Sequence, residues 1–580
     1  MKDVPARHTP SFAKIREGNL YYADKTGFLE DFFLGSRADV NILARPRRFG
    51  KTLLLSMMTE FLDITKDSRA LFEGLAVSTN RELCKEWMNQ YPVIFLSLRE
   101  VEGKTFDDAL QAVQRQIGHV VACHKYLIES EGVSDRYKKE LERLIHGSAD
   151  CFALKHSLSV LTRALYCHYQ RRVIVLIDDY NYPLAPAKSN GYLEQMASFM
   201  RRFLSHCLST VWGNLKFGLL TCCLNRPPHV ASDLLVKSYT LANFRFADTI
   251  GFTKADVDNL LAATGLLRKK RTIRAWYGGY LFGGKQEMYC PSSVLNHVNA
   301  LLDNPAASPR PYWTRSSKSA LAKRFIPANA PNIAEDLAVL LCGGCLVRQA
   351  DRFPNPEYRD PSFSFVWAML YQSGCLTRAS KGKLKLCSGK PEYDGTGLVI
   401  PNREMHTILA DMLVSWFQAT VSVEQHNELC SALWKGDATD LVRVLEEIQQ
   451  GRGTKEPDTA DDNSGAERPL RENCCLALLL GCLLASFRKS CVHLDAGKDV
   501  FDIQVTDRDK AFILEVRRAT RYTDDLEHLA DEGLRHIATN RFDARLLAKP
   551  AIRTVLHWSV AVSKWGCTAR ALVAKAPSDV

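Results

Sequence analysis

Residues 42–54 read ILARPRRFGKTLL. The end of this stretch, Gly50-Lys51-Thr52, matches the close of a phosphate-binding loop, G-x-x-x-x-G-K-[ST], but Arg45 stands where the first glycine belongs. A bare G-K-T recurs by chance in long chains, so its flanks must decide. Upstream, residues 39–44 (DVNILA) form a mostly apolar run of strand length. Downstream, Leu54, Met57, Met58 and Phe61 recur at helical spacing and share one face. Strand, loop and helix thus follow in the order a phosphate cradle requires. In such a cradle backbone N–H groups and the helix N-terminus hold phosphate oxygens, Lys51 reaches the outer phosphates and Thr52 ligates magnesium. A plain strand-to-helix turn with a surface lysine would give the same string, so a second element is needed.

That element is RRVIVLIDDYNYPL, in which residues 173–177 are continuously apolar and Asp178-Asp179 follow. Continuous apolar strands belong to buried parallel sheets. Acidic residues at the C-terminal tip of such a strand lie at the edge where α/β folds bind ligands. Asp178 is placed to hold magnesium and Asp179 to orient an attacking water. Two more strand-like runs, residues 91–98 (YPVIFLSL) and 215–223 (LKFGLLTCC), fit the same sheet. Thr221 falls where related ATPases carry a polar residue that senses the terminal phosphate.

The 580-residue chain is long enough for several domains; it is 46% hydrophobic and 24% charged, as in ordinary globular protein. The 76 Lys and Arg against 65 Asp and Glu leave +11, an excess too diffuse to demand nucleic acid, though it permits it. The first 19 residues have no apolar core of a secretory signal. The longest apolar run, residues 474–487 (CCLALLLGCLLASF), is too short to span a bilayer and reads as a buried helix. Eighteen scattered cysteines suit reduced thiols in the cytoplasm, and the lone C-x-x-C, Cys342 and Cys345, has no second pair at zinc-finger spacing.

The motifs RPRRFGKT, YYADKTGFLEDF before it and VIVLIDDYNYP after it resemble the AAA-ATPase-like family, whose members usually carry a PD-(D/E)xK nuclease-like domain at the C-terminus. The likeness continues through residues 244–261, 276–284, 289–298 and 398–405. It implies ATP and Mg2+ as cofactors and makes Arg45 expected, because the family loop reads R-P-R-R-F-G-K-[ST]. Arg45, Arg47 and Arg48 could add charge for the phosphates or contact a partner. The family strand tip usually reads D-E-Y-D, where this chain has Asp178-Asp179-Tyr180-Asn181. A shorter acid at the water-orienting position favours ATP binding over brisk hydrolysis. Assembly into multimers is a further implication.

Residues 246–450 read as a helical connector with room for a small winged-helix-like unit, since 254–267 and 427–450 carry apolar residues every three or four positions. The aromatic WYGGYLFGG at 276–284 reads as packing beneath a turn. Residues 451–469 are polar and charged, a flexible linker. In 470–580 a helix beginning near Glu472 precedes FDIQV and AFILEVR, which flank the turn TDRDK as a hairpin. Asp502, Glu515 and Arg517 on these strands resemble the D…E-x-K core of the nucleases, with Glu472, Asp502 and Glu515 as metal ligands. Arginine replaces the usual lysine and cannot readily give up a proton as a base. His536 stands where the superfamily carries a helix glutamine.

The expected architecture is therefore α/β. A P-loop AAA-ATPase-like domain with a parallel sheet spans 1–245, the helical middle 246–450, the linker 451–469 and the nuclease-like α/β domain 470–580. Two functional readings follow. One is an ATP-controlled, magnesium-dependent nuclease, with Asp179, Asp502, Glu515 and Arg517 catalytic. The other is a non-cleaving ATP-dependent switch that grips nucleic acid, DNA rather than RNA, or a protein-interaction scaffold.

Overall fold

The computed structural model describes residues 4, 9–35, 38–208, 213–224, 235–313, 331–348, 363–382, 396–451, 474–487, 492–496, 500–519, 524–540, 543–549, 551–563 and 566–575. The chain forms two compact units, one of residues 1–313 with 372–374 and one of 314–371 with 375–580. Residues 246–313, expected to begin a connector, thus pack with the N-terminal sheet. The linker expected at 451–469 lies outside the described residues except for Gly451, which ends a helix.

The first unit is built on five strands: β1 (Val40–Ala44), β2 (Val93–Ser97), β3 (Val173–Asp178), β4 (Leu215–Cys222) and β5 (Val236–Tyr239). Their order is β2-β3-β4-β1-β5 and every pairing is parallel. All six residues of β3 are buried, as a strand covered on both faces must be. Alternation divides them: Val173, Val175 and Ile177 join a core with helices Phe106–Cys123, Cys151–Tyr169 and Leu193–Cys207, and Ile174 and Leu176 face the other way. Helix Lys51–Leu62 packs against β2 and β3. It buries Leu54, Met57, Met58 and Phe61, the face read from the sequence. Each such side chain contributes roughly 1.5–3 kcal/mol of burial, whereas an isolated helix of this length is marginal in water. Packing therefore fixes its start against the end of β1.

A three-stranded antiparallel sheet completes the first unit, from β6 (Phe252–Thr253), β7 (Tyr280–Phe282) and β8 (Gln286–Tyr289), ordered β6-β8-β7. The middle of the chain is thus not purely helical. Aromatic residues of the WYGGYLFGG stretch are core: Tyr277, Tyr280 and Phe282 are buried.

The second unit combines helices with two sheets. Strands β9 (Leu346–Arg348), β10 (Thr377–Arg378) and β11 (Thr396–Val399) form a small antiparallel sheet. The larger sheet runs β12 (Val492–Ala496), β13 (Val500–Asp507), β14 (Lys510–Arg518), β15 (Thr554–Val562) and β16 (Cys567–Lys575) in that order. The hairpin read from the sequence is β13–β14; β15 lies parallel to β14 and the other pairings are antiparallel. Helix Cys475–Ser486 is buried on nearly every side, from Cys475 through Leu484. No helix among the described residues is long and apolar enough to cross a membrane.

Candidate functional site

Strand register assembles the site. In parallel pairing Leu43 opposes Thr221 and Ala44 opposes Cys222, and Ile177 opposes Leu220. The ends of β1, β3 and β4 therefore reach one edge together, the carboxyl edge at which open α/β sheets bind ligands. From β1 the chain turns through residues 45–50 into helix Lys51–Leu62. Gly50 makes the turn at φ 105°, a left-handed conformation that favours glycine, and a Cβ there would meet nothing within 4 Å. No side chain caps the first turn of this helix, so its N–H groups face the open side of the loop.

Asp178 is the centre of the site. It is fully buried, and Thr52 Oγ1 donates to its Oδ2 at 2.7 Å while Thr221 Oγ1 donates to its Oδ1 at 2.6 Å. Burial raises the Asp178 pKa, and neighbouring Asp179 adds to the rise; the two threonine hydroxyls and Lys51 oppose it. A buried carboxylate joined to a threonine hydroxyl is a set of hard oxygen donors, the chemistry magnesium takes. Thr52 and Asp178 thus fit a magnesium ion.

Lys51 is 5% exposed and lies along the loop, its Nζ donating to the carbonyls of Arg45 and Pro46, each at 3.1 Å, and to Cys223 Sγ at 3.2 Å. Burial works against its charge, but Cys223, Asp179 and Asp178 outweigh it and raise its pKa. Burial also raises the Cys223 thiol, so near neutral pH the two carboxylates are the groups that hold the ammonium. Asp179 Oδ1 lies 3.8 Å from Lys51 Nζ, and Asp179 adopts φ 48°, a left-handed conformation that Asp tolerates better than most residues. Its N–H donates to Thr221 Oγ1 at 3.2 Å.

The structure reassigns several residues expected at the phosphates. Arg45 is fully buried, and its guanidinium donates to the carbonyls of Ala44, Tyr239 and Phe246 at 2.9, 3.1 and 2.6 Å. It ties the loop to the chain after β5. Arg48 donates to the Tyr312 carbonyl at 2.7 Å. Of the three arginines only Arg47 is exposed, over the Tyr182 ring at 5.9 Å. Thr221 is fully buried with its hydroxyl engaged by Asp178 and the Asp179 N–H, so it positions the carboxylate instead of sensing a phosphate. Phe49 is wedged between Tyr280 and Phe282, with ring centroids at 5.1 and 5.4 Å, which anchors the loop from beneath. The contact from Cys223 was missed in the sequence, where this cysteine reads only as the tail of an apolar strand.

In the second unit Asp502 and Glu515 oppose each other across β13 and β14 and therefore share a sheet face. Glu515 is fully buried; Arg517 Nε donates to its Oε1 at 2.6 Å and His536 Nδ1 to its Oε2 at 2.7 Å. Arg517 also reaches Glu532 at 3.3 Å. Helix Leu526–Thr539 brings His536 in by close approach at Gly533, where a Cβ would lie 2.1 Å from Ser559 Oγ on β15. Ser559 opposes Glu515 in register. Glu472, expected as a metal ligand, lies outside the described residues.

Comparison with known proteins bears on the first unit. The family profile described as Predicted AAA-ATPase matches residues 8–225, ending just past β4. A protein from Azotobacter chroococcum mcd 1, described as an uncharacterized protein in the vnfD 5' region, is 28% identical over 424 residues, which is 70% of this chain and 68% of the relative. No solved structure matches. The profile match ends well before the second unit, so it carries nothing for a nuclease. Over residues 8–225 the chain is thus similar to the predicted AAA-ATPase family, a likeness that suggests a nucleotide ligand.

Proposed function

We propose that the first unit binds Mg·ATP and hydrolyses it slowly. The observation that supports this most directly is the chain Thr52–Asp178–Thr221, which holds a buried carboxylate beside the uncapped first turn of the loop helix. Thr52 and Asp178 hold the metal, which when bound offsets the negative charge of the phosphates. Lys51 exchanges its carbonyl bonds for phosphate oxygens, and the helix N–H groups bind the same anion. Asp179 is drawn toward Lys51 and is one methylene shorter than glutamate, so it orients water poorly and turnover is slow. Lys51→Ala should weaken a fluorescent ATP analogue on the order of 100-fold, the loss of charge-assisted bonds to phosphate. Affinity unchanged within twofold would overturn the assignment.

For the second unit we propose a nuclease-like domain that grips nucleic acid, DNA rather than RNA, without cutting it. Both oxygens of Glu515 already carry donors from Arg517 and His536, and Arg517 makes a poor base. With Mg2+ or Mn2+, with or without ATP, the full chain should leave DNA and RNA intact while binding DNA with steep salt dependence. Cleavage that disappears in Glu515→Ala would restore the nuclease, and salt-insensitive or absent binding would leave the protein-interaction scaffold.

A further inference from the structure

The second unit holds a group of side chains unrelated to either carboxylate. His426 and Cys430 are four residues apart on helix Val423–Lys435, hence one turn apart on one face. Cys482 and Ser486 have the same spacing on helix Cys475–Ser486. The two faces meet. Cys430 Sγ lies 3.5 Å from Cys482 Sγ and 3.1 Å from Ser486 Oγ, and His426 Nε2 lies 2.8 Å from Ser486 Oγ. One ligand atom each from His426, Cys430 and Cys482 fall within 4.8 Å of one another.

We propose that His426, Cys430 and Cys482 form a zinc site that clamps helix Val423–Lys435 to helix Cys475–Ser486. Zinc binds thiolate sulfur at about 2.3 Å and imidazole nitrogen at about 2.0–2.1 Å in a tetrahedron, which sets sulfur–sulfur edges near 3.8 Å and sulfur–nitrogen edges near 3.6 Å. The 3.5 Å between the sulfurs is within a few tenths of that edge, so small rotamer changes admit the ion. Two thiolates and a neutral imidazole balance the charge of a divalent cation. Soft sulfur selects zinc over magnesium or calcium.

Burial is graded in the way such a site needs. Cys482 is buried, His426 and Cys430 are half-buried and Ser486 is exposed, so the fourth position faces solvent and takes water or the Ser486 hydroxyl. The imidazole is steadied by Phe417, whose ring meets it edge-on at 5.3 Å. Phe417 reaches that place because residue 481 is glycine: a Cβ there would lie 2.8 Å from Phe417 Cβ. The ligands come from helices 52 residues apart, with the 451–469 segment between them. Zinc would therefore tie the helices that precede the segment to those that open the larger sheet. The linear pattern H-x-x-x-C far from C-x-x-x-S resembles no zinc-finger spacing, which is why the sequence alone does not reveal it.

The test uses the full chain, reduced and stripped with a chelator, titrated with Co2+ as a spectroscopic probe and then with Zn2+. The expected result is one cobalt per chain, with a thiolate-to-cobalt charge-transfer band and the ligand-field bands of tetrahedral coordination, both erased by zinc. Cys430→Ser should weaken uptake by more than roughly 100-fold and His426→Gln by at least tenfold, with circular dichroism unchanged because both positions are half-buried. Cys345→Ser, in the chain's C-x-x-C, should leave stoichiometry and spectrum as in the parent. No uptake by reduced, folded parent protein, or uptake undiminished in Cys430→Ser, overturns the proposal. A Cys430–Cys482 disulfide formed on air exposure, with no metal bound after reduction, would make the pair a redox couple and overturn it equally.

Discussion

Asp178 and Glu515 occupy comparable places in their two sheets. Each is a fully buried carboxylate near the C-terminal end of a central strand. They differ in what holds the oxygens. Asp178 has a threonine hydroxyl on each oxygen, and its nearest cation, Lys51, bonds to loop carbonyls and Cys223. Glu515 has an arginine on one oxygen and a histidine on the other. Hydroxyls orient a carboxylate and leave its charge available to an ion. Arginine supplies the countercharge itself, and the histidine adds a second hydrogen bond. The first arrangement suits a metal-nucleotide site, and the second is a carboxylate whose two oxygens are already engaged by side-chain donors.

The comparison makes its largest demand on Glu515. If the carboxylate is the counterion for Arg517 and the acceptor for His536, Glu515→Gln strands a guanidinium against a buried amide. Breaking a buried pair on one side costs about 3–5 kcal/mol; Arg517 and His536 keep some contact with water, so about 3 kcal/mol is expected here. The measurement is denaturant unfolding of the full chain, followed by a tryptophan signal that reports the second unit, such as Trp558. A variant as stable as the parent would mean that the cluster holds no net charge to lose, and the contrast with Asp178 would fail.

Much of this contrast was legible in the sequence, and the rest was hidden for physical reasons. The run VIVLI followed by two acids announced a buried parallel strand with carboxylates at its tip. Helical spacing from Leu54 to Phe61 announced the face that fixes the loop. Both signals are local periodicities, which survive in one dimension. From its place in the loop Arg45 reads as charge for the phosphates or for a partner; arginine is seldom fully buried, and only the carbonyls of Tyr239 and Phe246 explain why it is here. The first unit's boundary at Trp313 was signalled by Pro305, Pro309 and Pro311, but the helical periodicity on either side of them let the reading run past it. Strand β15 lies beside β14 across a crossover helix, so no turn signal marks the pairing.

A smaller effect sharpens the Asp178 side. If the threonines hold that carboxylate, Thr221→Val keeps the shape and removes one donor to Asp178 and one acceptor for the Asp179 N–H. Leaving such buried groups unpaired costs about 1–3 kcal/mol, and about 2 kcal/mol is expected in thermal unfolding of the first unit. Magnesium-dependent tightening of nucleotide should weaken with it. A loss below about 0.5 kcal/mol would show that Asp178 is fixed by something other than this hydroxyl.

Glu335 provides the intermediate case and the smallest effect. It is buried in the second unit, accepting from the Ala477 N–H at 2.9 Å and from Arg518 at 2.8 Å, one neutral donor and one cation. Burial raises its pKa above the ordinary 4.5, and Arg518 is too weak a counterweight to reverse the shift. Because the folded carboxyl holds its proton more tightly than the unfolded one, stability falls as pH rises through the folded pKa; below the unfolded value the group contributes nothing. Arg518 is 37% exposed and can return to water when its partner is neutral, whereas Arg517 beside Glu515 is only 17% exposed. Glu335→Gln should therefore stay within about 1 kcal/mol of the parent and gain on it between pH 5 and pH 8. Equal differences at the two pH values, or a loss as large as that of Glu515→Gln, would mean that one cation suffices to lock a buried carboxylate in this fold. The distinction between hydroxyl-held and cation-held acids would then have to rest on the presence of a cation alone, whatever its exposure.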